Sequence, residues 1–186
     1  MITNMSLLLK YEELYEWQKD FEIILLSDNS NKKIHWVIDK EGNNGEISFL
    51  KYMNHKYKIC YVTDKKGDLI NVVIKNKNYF EYGNERKFIF CDFLNYINPN
   101  HVNYGSLEMV NDGMICSNKY KCQSFLISPP IIIVFANFKP DYNKLSKYKF
   151  RIYTIENKQL YTENIVFLKK LFNVFKKIWI MKKLDY

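Results

Sequence analysis

Zinc-ligand spacing, a membrane-length apolar run and a lysine behind the glycine loop are all missing from this chain of 186 residues. Cys60, Cys91, Cys116 and Cys122 form no CxxC pair, and His35, His55 and His101 are scattered, which argues against a zinc site. Cys60 and Cys91 sit in apolar, strand-like runs and read as small buried hydrophobes. With no signal peptide, a reducing compartment is expected. No stretch is both long enough and free enough of charge to span a membrane, and no internal repeat appears. What is present is an apolar content of 47% and an aromatic content of 17%, enough for one domain with a real core. The formal net charge of +8 and a pI near 9.1 permit binding to nucleic acid or an anionic surface. A solvated lysine surface accounts for the same totals, and the wealth of Asn, Lys, Ile and Tyr is what an AT-rich genome alone would give.

Taken in order, Leu7 to Leu26 reads as an amphipathic helix, with Leu14, Trp17, Phe21, Ile24 and Leu25 recurring at spacings of three and four. Ile34–Ile38 is nearly all apolar, the mark of a strand buried on both faces of a parallel sheet. A helix from Phe49 to about Asn54 follows, then a strand over Tyr57–Val62. Leu69–Ile74 reads as a helix, although its β-branched residues also suit a strand. Arg86–Asp92 is a third strand that delivers a carboxylate at its end. Tyr104–Asn111 is a short helix closed by Asp112-Gly113, and Met114–Phe125 a hairpin with Ser117-Asn118-Lys119 near its tip. Ile131–Phe135 and Phe150–Ile155 are further strands. Alternation of strands and helices predicts a three-layer α/β domain with a mainly parallel sheet over residues 1–160. Residues 161–186 predict a basic amphipathic helix. Ile165, Leu168, Leu171, Phe172, Phe175, Ile178 and Trp179 form its apolar face, and Lys169-Lys170, Lys176-Lys177 and Lys182-Lys183 fall on the other. That helix either packs on the domain or meets DNA, membrane or another subunit.

The candidate site lies between the first strand and its helix, in Gly42-Asn43-Asn44-Gly45-Glu46-Ile47-Ser48. Strand, glycine turn and helix form the setting in which backbone N–H groups cradle phosphate oxygens at a helix N-terminus. A working loop also carries Lys and then Ser or Thr after its last glycine. Here those positions hold Glu46 and Ile47. Ligands of open parallel sheets bind beyond the carboxyl ends of the strands, where the loop, Asp92 and Asn137 are all expected.

Several motifs in order resemble the superfamily 3 helicase domain of replication initiator (Rep) proteins of small circular single-stranded DNA viruses and related plasmids. They are Leu14-Tyr15-Glu16-Trp17-Gln18, Ile34 through Gly45, Asn103-Tyr104-Gly105-Ser106-Leu107-Glu108, Asp112 through Tyr120, and Pro129-Pro130 through Asp141. The resemblance covers about Tyr15 to Ile155. It implies a P-loop ATPase of the AAA+ type that binds ATP and Mg²⁺ between subunits of a ring around single-stranded nucleic acid, in the host nucleus or otherwise the cytoplasm. Under it, Gly42 to Ser48 is the nucleotide loop and Asp92 the carboxylate that helps hold Mg²⁺. Asn137 senses the γ-phosphate and orients the attacking water. Lys149 stands in place of an arginine finger, and Lys119, Tyr120 and Lys121 belong to a channel hairpin. A lysine there suits phosphate contact and an aromatic can stack on bases; without the family, Lys119 reads as a solvated turn lysine.

The departures from the family bear on chemistry. A lysine about 4 Å from a phosphate charge gains on the order of 4 kcal/mol at an effective dielectric near 20, and Glu46 reverses that sign. Ser48 does not replace the missing hydroxyl at Ile47, because one helical step turns a side chain by about 100°. Asn95 stands where the family has an arginine, and Lys149 lacks the bidentate fork. The family's endonuclease domain is expected to be absent, since no two-histidine metal motif or nicking tyrosine fits before Trp17. Efficient hydrolysis is therefore expected to be lost, with Glu46 helping instead to stabilise the positive helix end. Three functional classes follow: a helicase subunit rescued by Lys40 or Lys51, a non-catalytic nucleic-acid-binding or ring-assembly module, and the product of a decayed integrated viral gene.

Overall fold

Runs of apolar residues bounded by polar turns become the centre of one six-stranded sheet. The computed structural model describes residues 13–28, 33–63, 68–81, 85–94, 99–117 and 123–162. Its helices are α1 (Glu16–Ser27), α2 (Glu46–Tyr57), α3 (Asp68–Lys75), α4 (Lys77–Phe80) and α5 (Tyr104–Asn111). Its strands are β1 (Ile34–Asp39), β2 (Cys60–Thr63), β3 (Phe88–Asp92), β4 (Met114–Ser117), β5 (Gln123–Leu126), β6 (Ile131–Ala136), β7 (Phe150–Glu156) and β8 (Gln159–Thr162). The main sheet runs β2-β3-β6-β1-β7-β8. Every pairing in it is parallel except β7 with β8. The hairpin β4-β5 is a separate antiparallel pair. The domain is therefore α/β with a mainly parallel sheet, as the alternation predicts.

All residues of β1, β3 and β6 are buried, which is why these strands are nearly all apolar up to their carboxyl ends. Side chains alternate between the two faces of a strand, and each face builds its own core. On one side Trp36, Ile89 and Val134 pack with Val73 of α3 and Leu107 and Val110 of α5. On the other, Val37, Phe90 and Phe135 pack with Trp17, Phe21 and Leu25 of α1 and with Phe49 and Met53 of α2. Polar bonds fix α1 on this second face. Glu22 accepts from the hydroxyls of Tyr52 and Tyr57 and from Lys56 Nζ, the last two at 2.6 and 2.8 Å. At the helix end, Asp28 meets His35 Nε2 at 3.1 Å and Arg151 at 3.2 Å, while His35 Nδ1 lies 2.9 Å from the Tyr153 hydroxyl. Burial dominates at His35 and holds its pKa below the ordinary value despite Asp28.

Several boundaries differ from the sequence reading, each for a local reason. The first helix begins at Glu16; Tyr15 is extended and its N–H donates to Gln18 Oε1 at 2.9 Å, an N-terminal stop that periodicity does not register. The part of that prediction at residues 7–12 lies outside the described residues. Helix α2 continues to Tyr57, past Asn54, because the Tyr57 hydroxyl is held by Glu22. The left-handed Lys58 then ends it, so the strand starts at Cys60. Strand β3 starts at Phe88, since Arg86 is engaged in donating to the carbonyls of Leu25 and Asp28. Strand β8 was not expected; the turn that makes it uses Asn157 and Lys158 at φ of 50° and 58°. The boundary drawn between residues 160 and 161 falls inside it, and the basic helix expected beyond it lies outside the described residues. No helix among the described residues is long and apolar enough to cross a membrane.

Candidate functional site

The loop after β1 is shaped by backbone that only certain residues accept. Gly42, Asn43 and Gly45 have φ of 70°, 59° and 97°, and asparagine tolerates this left-handed region better than most residues do. Gly45 is doubly required. It is the N-terminal cap of α2, and a Cβ there would come within 2.8 Å of Gln18 Nε2 and of the Tyr15 ring. Helix α1 grips this stretch: Trp17 Nε1 donates to the Asn44 carbonyl and Gln18 Nε2 to the Gly45 carbonyl, both at 2.8 Å. The motif residues Tyr15, Trp17 and Gln18 thus act as a clamp on the loop, a role their helical spacing alone does not reveal.

Two carboxyl groups occupy the inside of the loop. Asp39, the last residue of β1, accepts at Oδ1 from the N–H of Glu41 at 3.1 Å, the N–H of Gly42 at 2.9 Å and Asn44 Nδ2 at 3.0 Å. Glu46, the first residue of α2, sets its carboxyl beside that of Asp39 and near its own N–H and that of Asn44, and its Oε1 has no hydrogen-bond partner. Asp39 is 1% exposed and Glu46 7%. Burial, then the bond to Asp39 and its charge, pushes Glu46 up to about 7. Burial works to raise Asp39 as well, but its bonds from Glu46, Gly42, Asn44 and Glu41 hold it below the ordinary value. Sequence reasoning missed Asp39, although a carboxylate closing an apolar strand was the very signal that singled out Asp92.

Asp92 ends β3 and Asn137 follows β6, and both stand at the same carboxyl edge as the loop. The connection after β1 crosses the α1 side through α2, whereas the one after β6 crosses the opposite side through Phe138, Tyr142 and Leu145. Loop, carboxylate and asparagine therefore meet at a topological switch point, where ligands of open α/β sheets bind. Asp92 Oδ1 accepts the Leu94 N–H at 3.1 Å and Oδ2 the Tyr61 hydroxyl at 2.9 Å; Asn137 Nδ2 donates to the Leu94 carbonyl at 3.3 Å. Tyr61, on β2, was also missed, because a half-exposed strand tyrosine carries no signal of its own.

Between Glu46 and Asp92 the cavity measures only about 10 Å³ and is walled by Ile47, Leu50, Tyr61 and Leu94, room for one water at most. Ile47 is 49% exposed and offers no metal ligand. This donor set is the reverse of what a magnesium triphosphate needs, since the loop holds anions where cations and free N–H groups belong. Lys40 and Lys51 are both exposed. Among the described residues no group of three or more His, Cys, Asp or Glu side chains is placed to hold a metal ion.

Lys149 lies just before β7, and β7 is parallel to β1, so it stands at the sheet end opposite the loop. Its Nζ is 2.7 Å from Asp112 and 3.8 Å from Glu108, and the bond to Asp112 raises its pKa. The hairpin strands match the expectation, but Lys119, Tyr120, Lys121 and Asn95 lie outside the described residues. Burial raises the Cys60 and Cys91 thiols to about 11 and about 12.

No protein-family model matches this chain. It is 28% identical over 141 residues to Para-Rep C9 of Faba bean necrotic yellows C9 alphasatellite, covering 75% of this chain and 47% of that protein. It is 27% identical over 144 residues to Para-Rep C6 of Subterranean clover stunt C6 alphasatellite, again 75% and 47%. The Master replication protein of Faba bean necrotic yellows virus is 29% identical over 116 residues, or 62% of this chain and 37% of that protein. The chain spans about half the length of the two Para-Rep proteins, and it is similar to Rep-type replication proteins.

Proposed function

We propose that the chain is a Rep-type replication module on a superfamily 3 helicase-like domain, one that engages single-stranded nucleic acid without efficient ATP hydrolysis. A likeness to replication proteins over three quarters of the chain supports the first half of this reading. The observation that carries the second half is the Glu46 carboxyl at the position of the phosphate-binding lysine, buried beside the Asp39 carboxyl. Hydrolysis of a triphosphate needs positive groups fixed around the transferring phosphoryl, and here the nearest fixed charge is an acid pair. The segment between β4 and β5 in the sequence, with Lys119, Tyr120 and Lys121, is the proposed contact to the strand, lysine for phosphate and tyrosine for stacking. Assembly into a ring is part of the proposal. The loop and Lys149 lie on different parts of the molecule, which a head-to-tail contact joins, and Lys149 would have to leave Asp112 to take part.

Two measurements test the reading. Steady-state ATP turnover, with and without single-stranded DNA, is expected to stay at background, and turnover abolished by Asp92→Ala would overturn it. Binding to a single-stranded oligonucleotide followed across salt concentrations is expected to weaken on Lys119→Ala. The slope of log K against log salt should flatten by about 0.7 for one lost phosphate contact. An unchanged slope returns Lys119 to a solvated turn.

A further inference from the structure

We propose that the Gly42–Gly45 loop is closed on an anion of the protein's own, and that Asp39, as much as Glu46, keeps external phosphate out. This rests on reading the loop as one of phosphate-binding type. In such a loop, backbone N–H groups converge on a bound anion. Here the N–H groups of Glu41 and Gly42 and the amide of Asn44 converge on Asp39 Oδ1. The Glu46 carboxyl lies near the N–H groups of Asn44 and of its own residue, which act to lower its pKa. Asp39 Oδ2 and Glu46 Oε1 are both buried without a hydrogen-bond partner, and the two carboxyls lie close enough to shift each other's pKa, so a proton shared between them would satisfy both. The Glu41 and Gly42 N–H groups and the Asn44 amide are therefore already engaged within the fold, and a buried acid stands beside the others. Trp17 and Gln18 hold the loop in this closed shape through the Asn44 and Gly45 carbonyls.

The consequence concerns repair of the loop. Glu46→Lys restores the residue that the phosphate-loop pattern demands, but it sets an ammonium beside the buried Asp39 carboxylate. A close pair of opposite charges forms, and the lysine is neutralised before any ligand arrives. Only removal of both acids frees the N–H groups and the lysine together.

The test uses inorganic tripolyphosphate and magnesium ATP as probes, titrated calorimetrically into the full chain and its Glu46→Lys, Asp39→Ala and Asp39→Ala/Glu46→Lys variants. The wild type and Glu46→Lys are expected to bind neither probe measurably at millimolar concentration, and the double variant to bind at least about tenfold more tightly than Glu46→Lys. Equal affinity of Glu46→Lys and the double variant would overturn the role of Asp39. A measurement on the unaltered protein stands beside this should the double variant not fold. The amide resonances of Glu41 and Gly42 are expected to stay fixed when tripolyphosphate is added, and saturable shifts there would overturn the closed loop. Single-stranded DNA binding, read on the same samples, tests the functional reading separately, since its loss in the wild type would leave the loop result standing.

Discussion

Trp17→Ala is expected to destabilise the domain by about 3–5 kcal/mol, a large part of the ~5–15 kcal/mol that holds a domain folded. Trp17 is wholly buried and contacts Phe49 and Phe135 with ring centroids 5.5 and 6.3 Å away. Its truncation opens a cavity between α1, α2 and the sheet, and also removes the donor to the Asn44 carbonyl. Trp17→Phe separates the two effects. It keeps most of the ring volume and loses the hydrogen bond, so a cost of about 1–2 kcal/mol is expected. Urea denaturation with an unchanged slope checks both values; a Trp17→Ala midpoint indistinguishable from wild type would mean that α1 does not brace the loop.

Glu46→Gln is expected to remove the loss of stability with rising pH that the loop contributes. Glu46 titrates near 7 in the folded protein, above its value in an unfolded chain near 4.3. A raised carboxyl stabilises the fold fully below the unfolded value, and that contribution is lost as pH rises through the folded one. Between about pH 4.5 and 7 it therefore falls, by on the order of 2–3 kcal/mol. Glutamine keeps the shape and can donate an N–H to Asp39 at every pH. The variant should match wild type near pH 5 and exceed it by about 2 kcal/mol near pH 8. The difference between the two curves is the quantity to read, because His35, whose pKa is lowered, contributes in the opposite direction as pH falls below the ordinary histidine value. Asp39, lowered as well, contributes stability that is lost only at more acidic pH. Parallel curves for the two proteins would show that no proton is shared in the loop.

Much of the architecture was legible because burial on both faces leaves a plain mark. Ile34–Ile38 and Ile131–Phe135 have almost no polar interruption, and they form the two neighbouring strands at the sheet centre. The loop, Asp92 and Asn137 were legible as polar residues at the ends of such runs. What escaped was set by side-chain bonds between distant segments. Tyr57 stays helical because of Glu22, and Arg86 is kept from the strand by the end of α1. Asp39 escaped for a different reason. Beside a glycine loop the eye goes to the residue after the last glycine, whereas the N–H groups before it answer to the carboxylate that precedes them.

The outermost strands have a consequence for how copies of this molecule meet. Within the described residues the sheet ends on β2 at one side and β8 at the other, each of four residues. Strands that short give a second chain little backbone to add to, a common protection against edge-to-edge growth and fibre formation. Association of copies is then left to side-chain surfaces, where charge and shape select the partner and the geometry, and where a closed assembly is possible without an endless ribbon.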